Sequence, residues 1–251
     1  MARELRRLLI EPGRLARACT ADGQLTLQRE EQHYLSRVLR LRPGEPVSLI
    51  DGCGGQWLAQ LGSGSWLESV RMEGEPAPSP APRLCLALAL PRQDVEVVWR
   101  MATELGIDRL QPLQADRCQG AGRRLPLERW SAVVREATEQ CERLWLPALE
   151  ECAPAGDWLS QAGEGLKLLA TTRRPELPLL EQALAMQAGE PQGLGQISLA
   201  IGPEGGWTAR EEQQAEAAGW CAVSLGDSIL RTTTAAVAGV SRLATWRWLS
   251  C

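Results

Sequence analysis

Seven apolar residues in succession, LCLALAL at 84–90, leave this chain few architectures. A run without a polar face reads as a strand buried on both sides, the condition of a parallel sheet covered by helices. The segments that follow agree. DVEVVWRMATELG sets Val95, Val98, Met101, Ala102 and Leu105 at helical spacing and stops at Gly106. RLQPL (109–113), LKLLAT (166–171), ISLAIG (197–202) and CAVSLG (221–226) read as further short strands. LERWSAVVREATEQCERL (127–144) reads as a second amphipathic helix, and others are expected at 176–188, 208–218 and 233–249. Strands alternating with helices predict an α/β domain with a mostly parallel sheet.

The first 75 residues have another texture, of short strands and turns. VSLIDGCGGQWLAQL (47–61) is a hairpin pattern around a glycine-rich turn. EGEPAPSPAPR (73–83) then sets prolines at 76, 78, 80 and 82 among small residues, a stiff extended segment with no apolar face. The expected division is a domain at 1–75, a linker at 76–83 and a second domain at 84–251.

Composition excludes several classes. No apolar run approaches the roughly 18 residues of a membrane span. MARELRRLLIEPGR lacks the apolar core of a signal peptide, so a cytoplasmic address is expected. The eight cysteines form no CxxC pair, and a single histidine does not complete common zinc patterns, so no metal is expected. With His33 alone, a serine triad is improbable. DGCGG (51–55) imitates a dinucleotide loop, but GxGxxG needs glycine at Trp57 and a helix where a strand is read. Net charge is −4, yet residues 1–42 hold nine arginines against five acids. Placement matters more than the sum for nucleic acid. His33, Arg37 and Arg40 form one basic stripe if their segment is an α-helix, joined by Arg3, Arg6 and Arg7; the alternative is an ordinary solvated face.

Ligands of open α/β sheets sit beyond the carboxyl ends of the strands. Three loops qualify: Thr171-Thr172-Arg173, Gly202-Pro203-Glu204-Gly205-Gly206, and Gly226 to Arg231. Glycine lets backbone approach a ligand, and proline stiffens the wall. Thr208 with Glu211 matches a capping box for the helix that follows. GPEGG alone is equally a tight turn; a second glycine loop opening onto ILRTTTAA favours a site.

Taken together, HYLSRVLRLRPG (33–44), ATELG (102–106), EATEQCER (136–143), IGPEGG (201–206) and LGDSILRTTTA (225–235) resemble the small-subunit ribosomal RNA methyltransferase E family of the SPOUT class. The resemblance runs nearly end to end, and IGPEGG with LG…ILRT…A is its specific pair. It implies a PUA-like β-barrel that holds RNA, a C-terminal domain with a trefoil knot, S-adenosylmethionine as cofactor, and a homodimer. The implied reaction is methylation of N3 of a uridine in 16S rRNA, within the small ribosomal subunit. Rival expectations are a SPOUT enzyme acting on tRNA, or a non-catalytic RNA-binding or assembly factor. Two positions depart from the family pattern: Thr233 stands where glutamate is usual, and PRQD (91–94) offers Arg92 where lysine is.

On this resemblance the cofactor pocket comprises Thr171, Ile201, Gly202, Pro203, Glu204, Gly205, Gly206, Leu225, Gly226, Ile229, Leu230, Thr232 and Ala235. Arg231 is the leading candidate to stabilise a uridine anion. Glu204 is a candidate base, with a hydrogen-bonding structural role preferred. Valine at Gly205 is expected to intrude on the pocket. Gln140 and Arg143, at i and i+3, are read as one helix face lining the site or a dimer contact, or as a plain solvated face. Trp246 and Trp248 are read as core or dimer packing.

Overall fold

The computed structural model describes residues 7–20, 23–119, 124–161, 163, 165–186 and 194–250. The chain forms two compact units, Met1–Ser79 with Arg135–Leu146, and Pro80–Val134 with Pro147–Cys251. The cut at Ser79 and Pro80 lies inside the proline-rich stretch, and the first unit also takes in a later segment.

In the first unit, β1 (Arg7–Leu9), α1 (Pro12–Thr20), β2 (Leu25–Thr26) and α2 (Arg29–His33) precede β3 (Pro46–Ile50), β4 (Gln56–Leu61) and β5 (Trp66–Met72). The sheet order is β1-β3-β4-β5-β2, with β1 and β3 parallel and the remaining pairs antiparallel. The hairpin read at 47–61 is β3 and β4. The expectation of strands and turns alone omitted α1, which begins on Pro12, a residue suited to a first helical turn. Ile10, Leu15, Leu35, Leu49 and Leu67 fill the core.

The second unit contains β6 (Arg83–Ala89), α3 (Val95–Glu104), β7 (Arg109–Gln114), α4 (Leu127–Gln140), β8 (Ala148–Leu149), β9 (Ala153–Pro154) and α5 (Ala155–Gln161). It continues with β10 (Leu166–Ala170), α6 (Leu180–Ala185), β11 (Gln196–Ile201), α7 (Ala209–Ala217), β12 (Cys221–Val223) and α8 (Thr232–Ser250); the last residues of α4 belong to the first unit. The strands form a parallel sheet in the order β12-β10-β11-β6-β7-β8, with β9 also pairing β7. LCLALAL explains how both faces are covered. Leu84, Leu86 and Leu88 join Val98 and Trp99 of α3 and Val240 and Leu243 of α8 in one core. Ala87 and Ala89 face the opposite way, with Leu159 of α5 and Ala215 of α7. Successive side chains alternate across a strand, so large and small residues sort to opposite faces.

Two helices are shorter than expected. α4 ends at Gln140, because Glu142 turns the chain at φ 62°. α6 begins only at Leu180, after Pro175 and Pro178; the expected residues 187–188 lie outside the described ones. β8, β9 and α5 carried no pattern long enough to read. Among the described residues no helix is long and apolar enough to cross a membrane.

Candidate functional site

The loops after β10, β11 and β12 begin more than 20 residues apart in sequence, yet these three strands are neighbours in the sheet. Their carboxyl ends therefore open onto one place, a cavity of about 310 Å³. Thr171 lines it from β10, Ile201 with Gly202 to Gly206 from β11, and Leu225, Gly226, Ile229 and Leu230 from the loop after β12. Arg231, Thr232 and Ala235 line it from the start of α8. Every residue expected in a cofactor pocket thus borders this cavity.

The wall is stiffened from several sides. The Gly206 N–H donates to Pro203 O at 2.8 Å, closing GPEGG as a turn. The Thr232 hydroxyl donates to Gly202 O at 3.1 Å, tying the turn to α8. Thr208 caps α7 and exchanges bonds with Glu211, the expected capping box. Gly206 (φ 71°) and Gly226 (φ 130°) hold backbone conformations that L side chains rarely adopt, and a Cβ at either meets nothing within 4 Å. Bare backbone faces open space there, as a polar heterocycle needs.

Glu204 is exposed, and its Oε1 accepts the Arg92 main-chain N–H at 3.1 Å. That bond fits the structural role better than a free base. Arg231 is exposed on the rim and makes no ion pair among the described residues. Two contributors escaped the sequence. The Trp207 indole N–H donates to Ala170 O at 3.1 Å, bracing the β11 loop on β10. Arg117, 88 residues from Gly205, donates to Gly205 O at 2.9 Å and Trp207 O at 3.0 Å. No local pattern announces a partner so distant. Gly205 also corrects an expectation: a Cβ there meets Arg117 Cβ at 3.1 Å, so valine strikes the clamp and not the pocket.

The RNA candidates divide. His33, Arg37 and Arg40 are exposed, but the regular stripe fails. A π-helical turn, Tyr34–Val38, follows α2, and Arg40 has φ 54°, so α-helical spacing does not apply. Arg7 is committed to Glu142, donating to its carboxylate at 3.2 Å and to its carbonyl. Arg3 and Arg6 lie outside the described residues. Gln140 is the last residue of α4 and Arg143 lies beyond the turn, so they do not share a helix face. Trp246 packs on the core, whereas Trp248 is 84% exposed. Among the described residues no group of three or more His, Cys, Asp and Glu is placed to hold a metal.

Known proteins resemble this chain in sequence and fold. The RNA methyltransferase domain family matches residues 77–244, and the RNA methyltransferase PUA domain family matches 27–65. The ribosomal RNA small subunit methyltransferase E of Synechocystis sp. is 39% identical over 246 residues, 94% of this chain and 76% of that protein. That of Rickettsia conorii is 34% identical over 84% of this chain and 85% of its own length. The crystal structure of the Neisseria gonorrhoeae ribosomal RNA small subunit methyltransferase E bound to S-adenosyl methionine superposes with a TM-score of 0.78 at 27% identity, covering 96% of this chain and 98% of that one.

Proposed function

The chain belongs to the ribosomal RNA small subunit methyltransferase E family, and on that premise we propose that it methylates N3 of a uridine in 16S rRNA with S-adenosylmethionine as cofactor. The observation that carries the reading is the convergence of three strand-end loops on one cavity. Its size lies at the lower end of the roughly 300–1,000 Å³ of small-molecule sites. Its lining joins bare glycine backbone to apolar Ile201, Leu225 and Leu230, which suits an adenosine. When bound, the cofactor supplies a methyl group on a sulfonium.

Main-chain groups of Gly202 to Gly206 and Leu225 to Leu230 would hold the adenine by hydrogen bonds, and Ile201, Leu225 and Leu230 would give it apolar contact. Pro203, Trp207 and Arg117 keep that wall in place before binding, so little ordering is lost. Uridine N3 attacks only after its proton has passed to a base or to water. Arg231, on the rim and without an ion pair among the described residues, stabilises the anion that results. Glu204 holds the loop through Arg92. Thr233, on the first turn of α8, leaves no carboxylate at the position where the family has one. The SPOUT-type domain is knotted and works as a cytoplasmic homodimer on the small ribosomal subunit. Exposed Trp248 and Leu249 at the end of α8 are apolar surface for a second subunit.

The test is methyl transfer from labelled S-adenosylmethionine to small subunits lacking the endogenous modification, with nucleoside analysis of the product. 3-Methyluridine is the expected product. Cofactor binding without transfer overturns the reading in favour of another RNA substrate or a binding factor.

A further inference from the structure

A second cavity, of about 670 Å³, lies within the same unit over the carboxyl ends of β6 and β7. β6 and β7 continue the sheet from β11, so the two cavities divide one edge between them. The first covers the ends of β12, β10 and β11. The second is framed by the loop after β6, by Gln114 at the end of β7, and by Gln119, Leu125 and Trp130. The Arg92 N–H bond to Glu204 is their common wall, since Arg92 lines the second cavity and Glu204 the first. Two ligands that exchange a group must lie side by side. This edge provides adjoining sites.

We propose that the second cavity holds the uracil base of the nucleotide that is methylated. The inference rests on the methyltransferase reading above and adds the place of the RNA substrate. Leu90 and Trp130 are buried and, with Leu125, give the cavity an apolar lining for the face of a base. Gln93, Gln114 and Gln119, each carrying a side-chain amide, also line it. Asp94 adds a carboxylate. It stands at the N-terminus of α3 with φ 63° and ψ 18°, and its side chain makes no bond to cap that helix. Left-handed backbone at a non-glycine residue is costly and gathers at ligand sites. Uracil presents two carbonyl acceptors on either side of an N–H donor. Amide NH₂ groups serve the carbonyls, and the Asp94 carboxylate serves the N–H. The other lining carboxylate, Glu96, is held by Arg129 at 2.8 Å. Exposed Arg92 provides charge for the attached phosphate. Unpaired RNA bases are recognised in this way, with an apolar contact to the face and hydrogen bonds to the edge.

Two variants of the full chain test the assignment. Leu125→Trp fills the cavity, and Gln114→Leu removes an amide with little change of volume. Each is compared with wild type for cofactor affinity by calorimetry, for methyl transfer, and for photo-cross-linking to small subunits reconstituted on 16S rRNA transcribed with 4-thiouridine. Cofactor affinity is expected to stay within about twofold of wild type while kcat/KM for the subunit falls about tenfold or more. Wild-type cross-links are expected in residues 90–97, 114–119 or 124–130, and are lost in Leu125→Trp. Cross-links confined elsewhere, or transfer by both variants at the wild-type rate, overturn the assignment and leave the enzyme's function standing. Cross-links in the cavity of a wild-type protein that transfers no methyl group remove the functional reading and keep the base site.

Discussion

Arg117 braces the wall of the strand-end cavity without lining it. Its guanidinium takes two carbonyls of the Gly205–Trp207 segment, and charge-assisted bonds of this kind contribute about 1.5–3 kcal/mol each when shielded from water. Arg117 is exposed, so the lower part of that range applies. Arg117→Ala should weaken cofactor binding about tenfold by calorimetry, with Arg117→Lys in between. Gly205→Val pushes on the same side chain and should shift affinity in the same direction. The double variant should be far from additive, as for two residues acting through one contact. Additive losses would show that Gly205 and the clamp act independently. Cysteine chemistry is also decided residue by residue. Burial pushes the Cys85 thiol up to about 12, whereas Cys19 and Cys221 are exposed. The thiolate is the reactive form. Alkylation of the native protein near pH 8, read by peptide mass, should label Cys19 and Cys221 and spare Cys85 until denaturant is added.

α8 shows how far periodicity carries. A helix at 233–249 was legible, and so was its place in a layered α/β domain. The close approach it makes was not. A Cβ at Gly239 would stand 2.4 Å from Leu199 Cδ2, so glycine lets α8 settle on β11. Gly239→Val should cost about 1–3 kcal/mol in urea unfolding, as overpacking does. The opposite failure occurred at α4, where amphipathic spacing ran on to residue 144 and the helix did not. Its final turn holds Glu139, whose carboxyl is pushed above the usual range by burial, an effect partly offset by the Leu9 N–H and Arg135. The folded state therefore keeps this proton to higher pH than the unfolded chain. Its contribution to stability is complete below the unfolded pKa and is lost as pH rises through the folded one. Glu139→Gln should remove that part of the decline as pH rises above the ordinary glutamate range, as seen in urea midpoints. An unchanged pH profile would show that the carboxyl is not desolvated.

The cavity at the ends of β10, β11 and β12 was legible because its three loops each follow an apolar strand, a local signal. The order of those strands in the sheet was not legible, and neither was the segment Arg135–Leu146 of the first unit, because both are settled by pairing across long sequence separations. The proposed RNA contact of the first unit is a property of its exposed cations taken together. Replacing Arg37 and Arg40 with alanine should weaken binding to 16S rRNA and lower the slope of log affinity against log salt by about 1.5–2. An unchanged slope would return them to ordinary surface. The returning segment has a consequence for the chain as it is made. Glu139 accepts the Leu9 N–H at 2.8 Å and Arg135 donates to Leu9 O, so these side chains finish β1, which ends its sheet. Leu144 O takes the Gly54 N–H at 3.0 Å. During synthesis these partners arrive only after residue 146 has left the ribosome, several seconds after residue 79 at about 5–20 residues per second. In that interval the nascent N-terminal sheet carries a bare edge, the kind of surface on which strands from other chains add. Crowded polysomes and slow translation are thus the conditions under which this protein is most exposed to misassembly.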